Sequence, residues 1–247
     1  MLILVWQASA LSINLKNAKQ VKKMGYFPLF INLSGKEVLV AGGGKVAERK
    51  VRILLEFDAA IRLVSPETIH ALRDLADSGA IRLLPRKYRA EDVDTAALVI
   101  AATCDRTVNR QIHDDALRKC VPVNVVDDPE LCTFFFPAVV HRTDFVVGIT
   151  TSGSYPALAK YARQQIETLF PEQYGEITNV LKEYRKKIWK EIQSPAQRAA
   201  VLEGLIDTAA HVAKNDEILD RRILIEQLDK TCGKLTQQIS ELGCDTQ

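Results

Sequence analysis

Apolar positions in the first half of the chain follow two alternating periods. Val38-Leu-Val-Ala41 is a short apolar run that ends in three glycines. Ala47, Val51, Leu54 and Leu55 then recur at i, i+4, i+7 and i+8, which is one face of a helix. Ile61-Arg-Leu-Val-Ser65 alternates as a strand does. Pro66 follows, where it suits the first turn of a helix running to about Ser78. Ile81-Arg-Leu-Leu84 predicts a third strand, closed by Pro85. Ala97-Leu-Val-Ile-Ala-Ala102 is apolar throughout, as a strand buried on both faces is. Val108, Ile112 and Ala116 mark another helix, and Val121-Pro-Val-Asn-Val-Val126 a fifth strand. Strands alternating with helices over residues 35–127 imply a mainly parallel sheet covered by helices on both faces.

The pattern then changes. Phe134-Phe-Phe-Pro-Ala-Val-Val140 and Phe145-Val-Val-Gly-Ile-Thr150 read as two strands joined by the polar stretch His141-Arg-Thr-Asp144. Pro156 opens a helix reaching about Phe170, and after Pro171 the chain is helical in pattern, with a break near Ser194-Pro195. Ile225, Leu228, Cys232, Leu235, Ile239 and Leu242 form a short heptad seam. Two uses of it stay open: packing on the helix's own subunit, or a dimeric coiled coil weakened by Gly233.

Composition narrows the function classes. In 247 residues, 33 basic against 31 acidic side chains leave a net charge of +2. There is no global basic field, so nucleic acid is not an expected partner. Cys104, Cys120, Cys132, Cys232 and Cys244 are odd in number and widely spaced, which fits a reduced, cytoplasmic setting better than a disulfide framework or a zinc ribbon. Met1-Leu-Ile-Leu-Val-Trp6 is apolar, but no basic residue precedes it and Asn14, Lys16 and Asn17 break it. It is too short to span a bilayer and a poor signal peptide, so residues 1–23 read as an extension, with a start at Met24 as one explanation. No membrane partner is expected. His70, His113, His141 and His211 show no metal-ligand spacing, and no metal site is predicted.

Gly42-Gly-Gly44-Lys-Val-Ala47 fits G-x-G-x-x-A directly after a strand and at the start of a helix. The first glycine permits the tight turn, the second lets backbone approach a pyrophosphate, and Ala47 lets the helix pack closely on the sheet. Unpaired N–H groups at the helix start suit phosphate. The acidic residue that grips a ribose, expected about 20 residues on, is absent. Ser65 stands there, with Glu67 two positions later and no arginine directly after Ser65, which tilts the reading towards NAD over NADP. Ala102 and Thr103, at the end of the fourth strand, fall at the carboxyl edge of the sheet, where ligands bind. Cys104 reads as a small packing residue.

Five stretches carry a resemblance. They are Phe27-Pro-Leu-Phe30, Val40-Ala-Gly-Gly-Gly-Lys-Val-Ala-Glu-Arg-Lys50 and Ala101-Ala-Thr-Cys-Asp-Arg-Thr-Val-Asn109. The others are Val123-Asn-Val-Val-Asp-Asp-Pro129, and Phe136-Pro-Ala-Val-Val140 continuing into Thr150-Thr-Ser-Gly-Ser-Tyr-Pro-Ala-Leu-Ala159. In this order and spacing, residues 24–171 resemble the precorrin-2 dehydrogenases, a family that includes the N-terminal part of siroheme synthases. The resemblance implies an α/β fold: a Rossmann-like NAD-binding domain over 24–133, a small α+β dimerisation segment over 134–171, and a helical C-terminal domain over 172–247. It implies NAD-dependent oxidation of precorrin-2 to sirohydrochlorin by a homodimer, with a bifunctional dehydrogenase and ferrochelatase acting on ferrous iron as the alternative. A non-catalytic NAD sensor speaking through the helical tail is a third reading. The residues after Pro171 are too few for a methyltransferase domain.

The resemblance also assigns roles. Asp127 matches the aspartate such enzymes use catalytically, and a carboxylate there is a plausible proton acceptor. Asp128 reads as a cap. Lys45 and Val46 are implied as backbone contacts to the cofactor, with Glu67 and Thr68 near its ribose. A polycarboxylate tetrapyrrole needs positive charge around it. Arg106, Arg142, Lys160 and Arg163 are the candidates, joined by His141 and by Asn124 as an orienting group. Thr151 stands where some relatives carry a phosphorylated serine, so that modification is not carried over.

Overall fold

The structure is a computed structural model and describes residues 26–215 and 219–244. The extension expected over 1–23 and the start at Met24 lie outside the described residues. β1 (Glu37–Ala41), β2 (Ala60–Val64), β3 (Arg82–Leu84), β4 (Leu98–Ala101) and β5 (Val123–Val125) form one parallel sheet in the order β3-β2-β1-β4-β5. α1 (Lys45–Leu55) and α2 (His70–Asp77) cover one face, and α3 (Arg106–Arg118) covers the other. β1 and β4 are apolar at every buried position because they serve both layers. Val38 and Val40 pack with Ala47, Val51 and Leu54 of α1, whereas Leu39 and Ala41 pack with Ile112 and Ala116 of α3. The strand order reverses between β1 and β4, so their following loops diverge and open a crevice at the carboxyl edge.

Several boundaries differ from expectation. α2 starts at His70, so Pro66 lies in the preceding turn rather than in the helix. The Ser65 hydroxyl donates to the Glu67 carbonyl at 2.6 Å, and the Ile69 N–H donates to the Gly43 carbonyl at 2.9 Å. These bonds hold residues 65–69 against the glycine loop and delay the helix. β6 (Ala138–Arg142) begins four residues later than the apolar run suggests. Phe134 and Phe136 pack on the α1 side of the sheet and Phe135 on the α3 side, so this stretch is apolar without being in a ladder. His141 and Arg142 belong to β6 rather than to the turn, pairing with Val146 and Phe145 of β7 (Phe145–Ile149). Only Thr143 and Asp144 make the turn, with Thr143 at φ +53°.

Four helices follow: α4 (Pro156–Leu169), α5 (Tyr174–Glu191), α6 (Pro195–Asn215) and α7 (Arg221–Cys244). α5 is seated on the hairpin. The Thr143 hydroxyl donates to the Gly175 carbonyl at 3.1 Å, and Lys182 pairs with Asp144 at 2.6 Å. The break at Ser194-Pro195 is where the pattern placed it, and a second break separates α6 from α7. The heptad seam of α7 is used inside the chain. Leu228 and Cys232 are buried with Ile177 and Val180 of α5 and Val201 and Leu205 of α6. Gly204 makes room for that contact, since a Cβ there would lie 2.6 Å from Leu235 Cδ1. The side chain of Leu242 lies outside the described residues. Among the described residues, no helix is long and apolar enough to cross a membrane.

Candidate active site

The glycine loop assigns a different task to each glycine. Gly42 has φ +123°, and a Cβ on it would meet the Ala102 carbonyl oxygen at 2.2 Å. It serves both the turn and the close approach of the β1 and β4 loops. Gly43 faces inward, where a Cβ would lie 2.0 Å from the Glu67 carbonyl oxygen. Gly44 is the N-cap of α1 at φ −95°, and a Cβ there would meet nothing within 4 Å. Its open side is therefore the one available to a ligand. Lys45 and Val46 follow as exposed residues of the first turn, whose N–H groups have no acceptor within the helix. Helix start, dipole and open backbone together make a phosphate cradle.

The opposite wall is built by a residue the sequence reading passed over. Asn109 is buried in α3, and its amide clamps the loop after β4. Its Nδ2 donates to the Thr103 carbonyl at 3.1 Å, and its Oδ1 accepts from the Thr103 N–H and hydroxyl at 3.2 and 2.7 Å. Asp105 caps the same helix, accepting from the N–H groups of Thr107 and Val108. Ala102 and Thr103 are thereby fixed across from Gly42. On the β2 side, Glu67 is exposed and Thr68 half-buried at the rim. Ser65 is buried with its proton committed to Glu67, which leaves it a part of the wall.

β5 leads from this crevice into the interior. Asp127 is exposed just beyond the strand, at φ +61°. Asp and Asn tolerate this left-handed conformation better than other side chains do. Asp128 makes no side-chain cap; its carbonyl accepts from the Leu131 N–H at 3.2 Å. Asn124 is buried rather than presented to a ligand. Its Nδ2 donates to the Phe134 carbonyl at 3.1 Å, and its Oδ1 accepts from Lys50 Nζ at 3.1 Å. Lys50 Nζ also stands 4.0 Å from the centre of the Phe136 ring. Burial and the neighbouring Arg49 guanidinium push the Lys50 ammonium down to about 8. Burial also pushes the Cys132 thiol up.

Lys50 opens onto a cavity of about 1290 Å³ between α1, the hairpin and α4. Three of the sequence-predicted basic residues, Arg142, Lys160 and Arg163, line it, together with His141 and Arg49. Their availability differs. Arg142 is paired with Glu172 at 2.9 Å and donates to the Phe170 carbonyl at 3.2 Å, so it mainly braces the hairpin. Arg163 is paired with Glu167, and His141 meets Glu56 at 3.3 Å while its ring lies on Phe57. Lys160 is exposed. Arg106, at the start of α3, does not line this cavity. Arg49 and Lys50, like Asn109, escaped the sequence reading, although Val-Ala-Glu-Arg-Lys50 belongs to the matched stretch.

A glycine loop at the switch point of a parallel sheet defines a Rossmann-like dinucleotide-binding protein. Comparison with known proteins narrows the class. Residues 29–138 match the family model described as "Putative NAD(P)-binding". The chain is 39% identical over 210 residues to the siroheme synthase of Pseudomonas fluorescens (strain SBW25), a match covering 83% of this chain and 45% of that protein. It is 37% identical over 224 residues to the siroheme synthase of Stutzerimonas stutzeri (strain A1501), covering 89% and 48%. A solved structure entitled "SirC, precorrin-2 dehydrogenase" superposes with a TM-score of 0.63 at 24% identity, covering 83% of this chain and all of that one; this likeness is one of fold. Over most of its length the chain is similar to part of the siroheme synthases, and its residues 29–138 carry the pattern of the NAD(P)-binding family model. It spans about half the length, or less, of the curated relatives it matches.

Proposed function

We propose that the chain binds NAD in the crevice and oxidises precorrin-2 to sirohydrochlorin. The observation that carries this reading is the course of β5. Within it Asn124 holds Lys50 at the wall of a large basic cavity, and two residues past its carboxyl end stands the exposed Asp127, on the side of the sheet where the crevice opens. A polyanionic substrate and a dinucleotide would therefore approach the two ends of one short segment.

The residues present fit NAD. Gly42 and Gly44, with the N–H groups of Lys45 and Val46, would hold the pyrophosphate, while Gly43 braces the loop from behind. Glu67 and Thr68 would face the ribose, and Ala102 and Thr103 the opposite side. When bound, the nicotinamide supplies the hydride acceptor. Removing a hydride from the macrocycle leaves one proton to be lost, and the exposed Asp127 carboxylate takes it and passes it to water. Lys50 and Lys160 would supply charge for the substrate carboxylates, with Arg142, Arg163 and His141 shaping the cavity through their own partners. The protein would work as a homodimer, covering apolar residues on α4. Cys104, Cys120, Cys132 and Cys232 are free, which suits a reducing cytoplasmic setting.

The test is an anaerobic assay with enzymatically generated precorrin-2 and NAD, following NADH. Wild-type protein should form NADH. Asp127→Asn keeps the left-handed backbone and should bind NAD within about twofold, yet lose about 10²-fold or more in turnover. No NADH from protein that binds NAD would refute the reading, and near-normal turnover of the variant would remove Asp127 from catalysis.

A further inference from the structure

Lys50 is a buried cation with an incomplete set of partners. It is 8% exposed although it lies midway along α1. An ammonium carries three protons, and a buried charge needs both hydrogen bonds and a counter-charge. Lys50 has one hydrogen bond, to Asn124 Oδ1, and the face of the Phe136 ring. Among the described residues, no carboxylate forms an ion pair with it. The charged and titratable groups around it are few. Arg49 on its own helix disfavours its charge, whereas Asp127 beyond β5 and Cys132 in the next turn favour it from a distance. Asn124 is in turn held by the Phe134 carbonyl and by Cys132 Sγ, so its oxygen is aimed at Lys50 in advance. The remaining side faces the cavity, beside Arg49 and Phe136.

We propose that Lys50 is the group that recognises a ligand carboxylate at the inner wall of this cavity, and that it takes up a proton as the carboxylate arrives. The inference rests on the cavity being the polycarboxylate site. Its physical basis is linkage. In the free protein the ammonium titrates at about 8. A carboxylate beside it stabilises the charged form and raises that value. Well below pH 8, Lys50 is already charged and affinity is flat. As pH rises through the free value, binding must recharge the lysine, and affinity falls by up to about tenfold per pH unit until the bound value is reached. Lys160, exposed on α4, would add attraction without this coupling.

The experiment measures sirohydrochlorin binding without NAD, under anaerobic conditions, by the absorbance of the tetrapyrrole between pH 6.5 and about 9.5. Wild-type affinity should break near pH 8. Lys50→Met should bind about tenfold more weakly at pH 7 and show no break. Lys50→Arg should recover affinity to within a few-fold and stay flat across the range. Lys160→Met should weaken binding but keep the break. Titration calorimetry of the wild type at pH 8, in buffers of differing ionisation enthalpy, should show uptake of about half a proton, a readout that needs no variant to fold. NAD affinity of each variant reports on the fold. Unchanged affinity and an unchanged break in Lys50→Met, or no proton uptake by the wild type, would overturn the role of Lys50. Wild-type protein that binds NAD but not sirohydrochlorin would overturn the functional reading, and this inference with it.

Discussion

Two neighbouring glycines of the loop give opposite expectations for an added side chain. At Gly44 a Cβ meets nothing within 4 Å and φ is −95°, a value any residue adopts. Gly44→Ala should therefore fold with a stability change of about 1 kcal/mol or less, the scale of an N-cap change. Gly44→Asp should fold as well but set a carboxylate against the pyrophosphate. Two unit charges 4 Å apart at an effective dielectric constant of 20 repel by about 4 kcal/mol, enough to lower NAD affinity by about 10²-fold or more. Gly43→Ala should do the opposite, because its Cβ would lie 2.0 Å from the Glu67 carbonyl oxygen; that variant loses stability first. Thermal unfolding and NAD calorimetry on the three variants separate the roles. A folded Gly44→Asp protein with unchanged NAD affinity would remove the loop from the cofactor site.

Among the elements, legibility followed burial. β1 and β4 could be read from the sequence because both their faces are covered, so no polar residue interrupts them. The apolar run at Phe134 misled for a related reason. Its three rings divide between the two sides of the sheet without a strand partner, and periodicity does not distinguish that from a ladder. Lys50 and Asn109 were not legible, because a charged or amide side chain inside a helix pattern reads as solvent-facing until its distant partner is known. Those partners, Asn124 and the Thr103 backbone, come from other elements. The seam of α7 was legible as apolar but not as to its partner, which is α5 and α6 of the same chain. Truncating the fully buried Leu228 should then cost about 2–5 kcal/mol. Chemical denaturation of Leu228→Ala should show that loss independently of protein concentration. A concentration-dependent loss would instead assign the seam to an interface between copies.

For the whole molecule, the apolar residues left outside the three cores decide what to expect of assembly. Tyr155, Leu158, Tyr161 and Leu169, at the start and along the outer side of α4, are exposed, as are Phe27, Leu29, Phe30 and Ile31 in the extended segment before β1. Scattered exposed apolar side chains are ordinary, but side chains of this size grouped on one helix mark an interaction surface. The cavity lies against α4 as well, through Lys160 and Arg163, so a second copy docked there would also cover part of the cavity rim. Light scattering at micromolar concentration should give twice the 27.6 kDa chain mass. Leu158→Asp with Tyr161→Asp should shift it towards the single chain, since each carboxylate would be buried without a partner in the interface. Neither residue belongs to the crevice, so NAD affinity should persist in the dissociated protein. A wild-type chain that scatters as a monomer would refute the dimer. A variant that stays dimeric would move the interface off α4, towards the segment that carries Phe27 and Phe30.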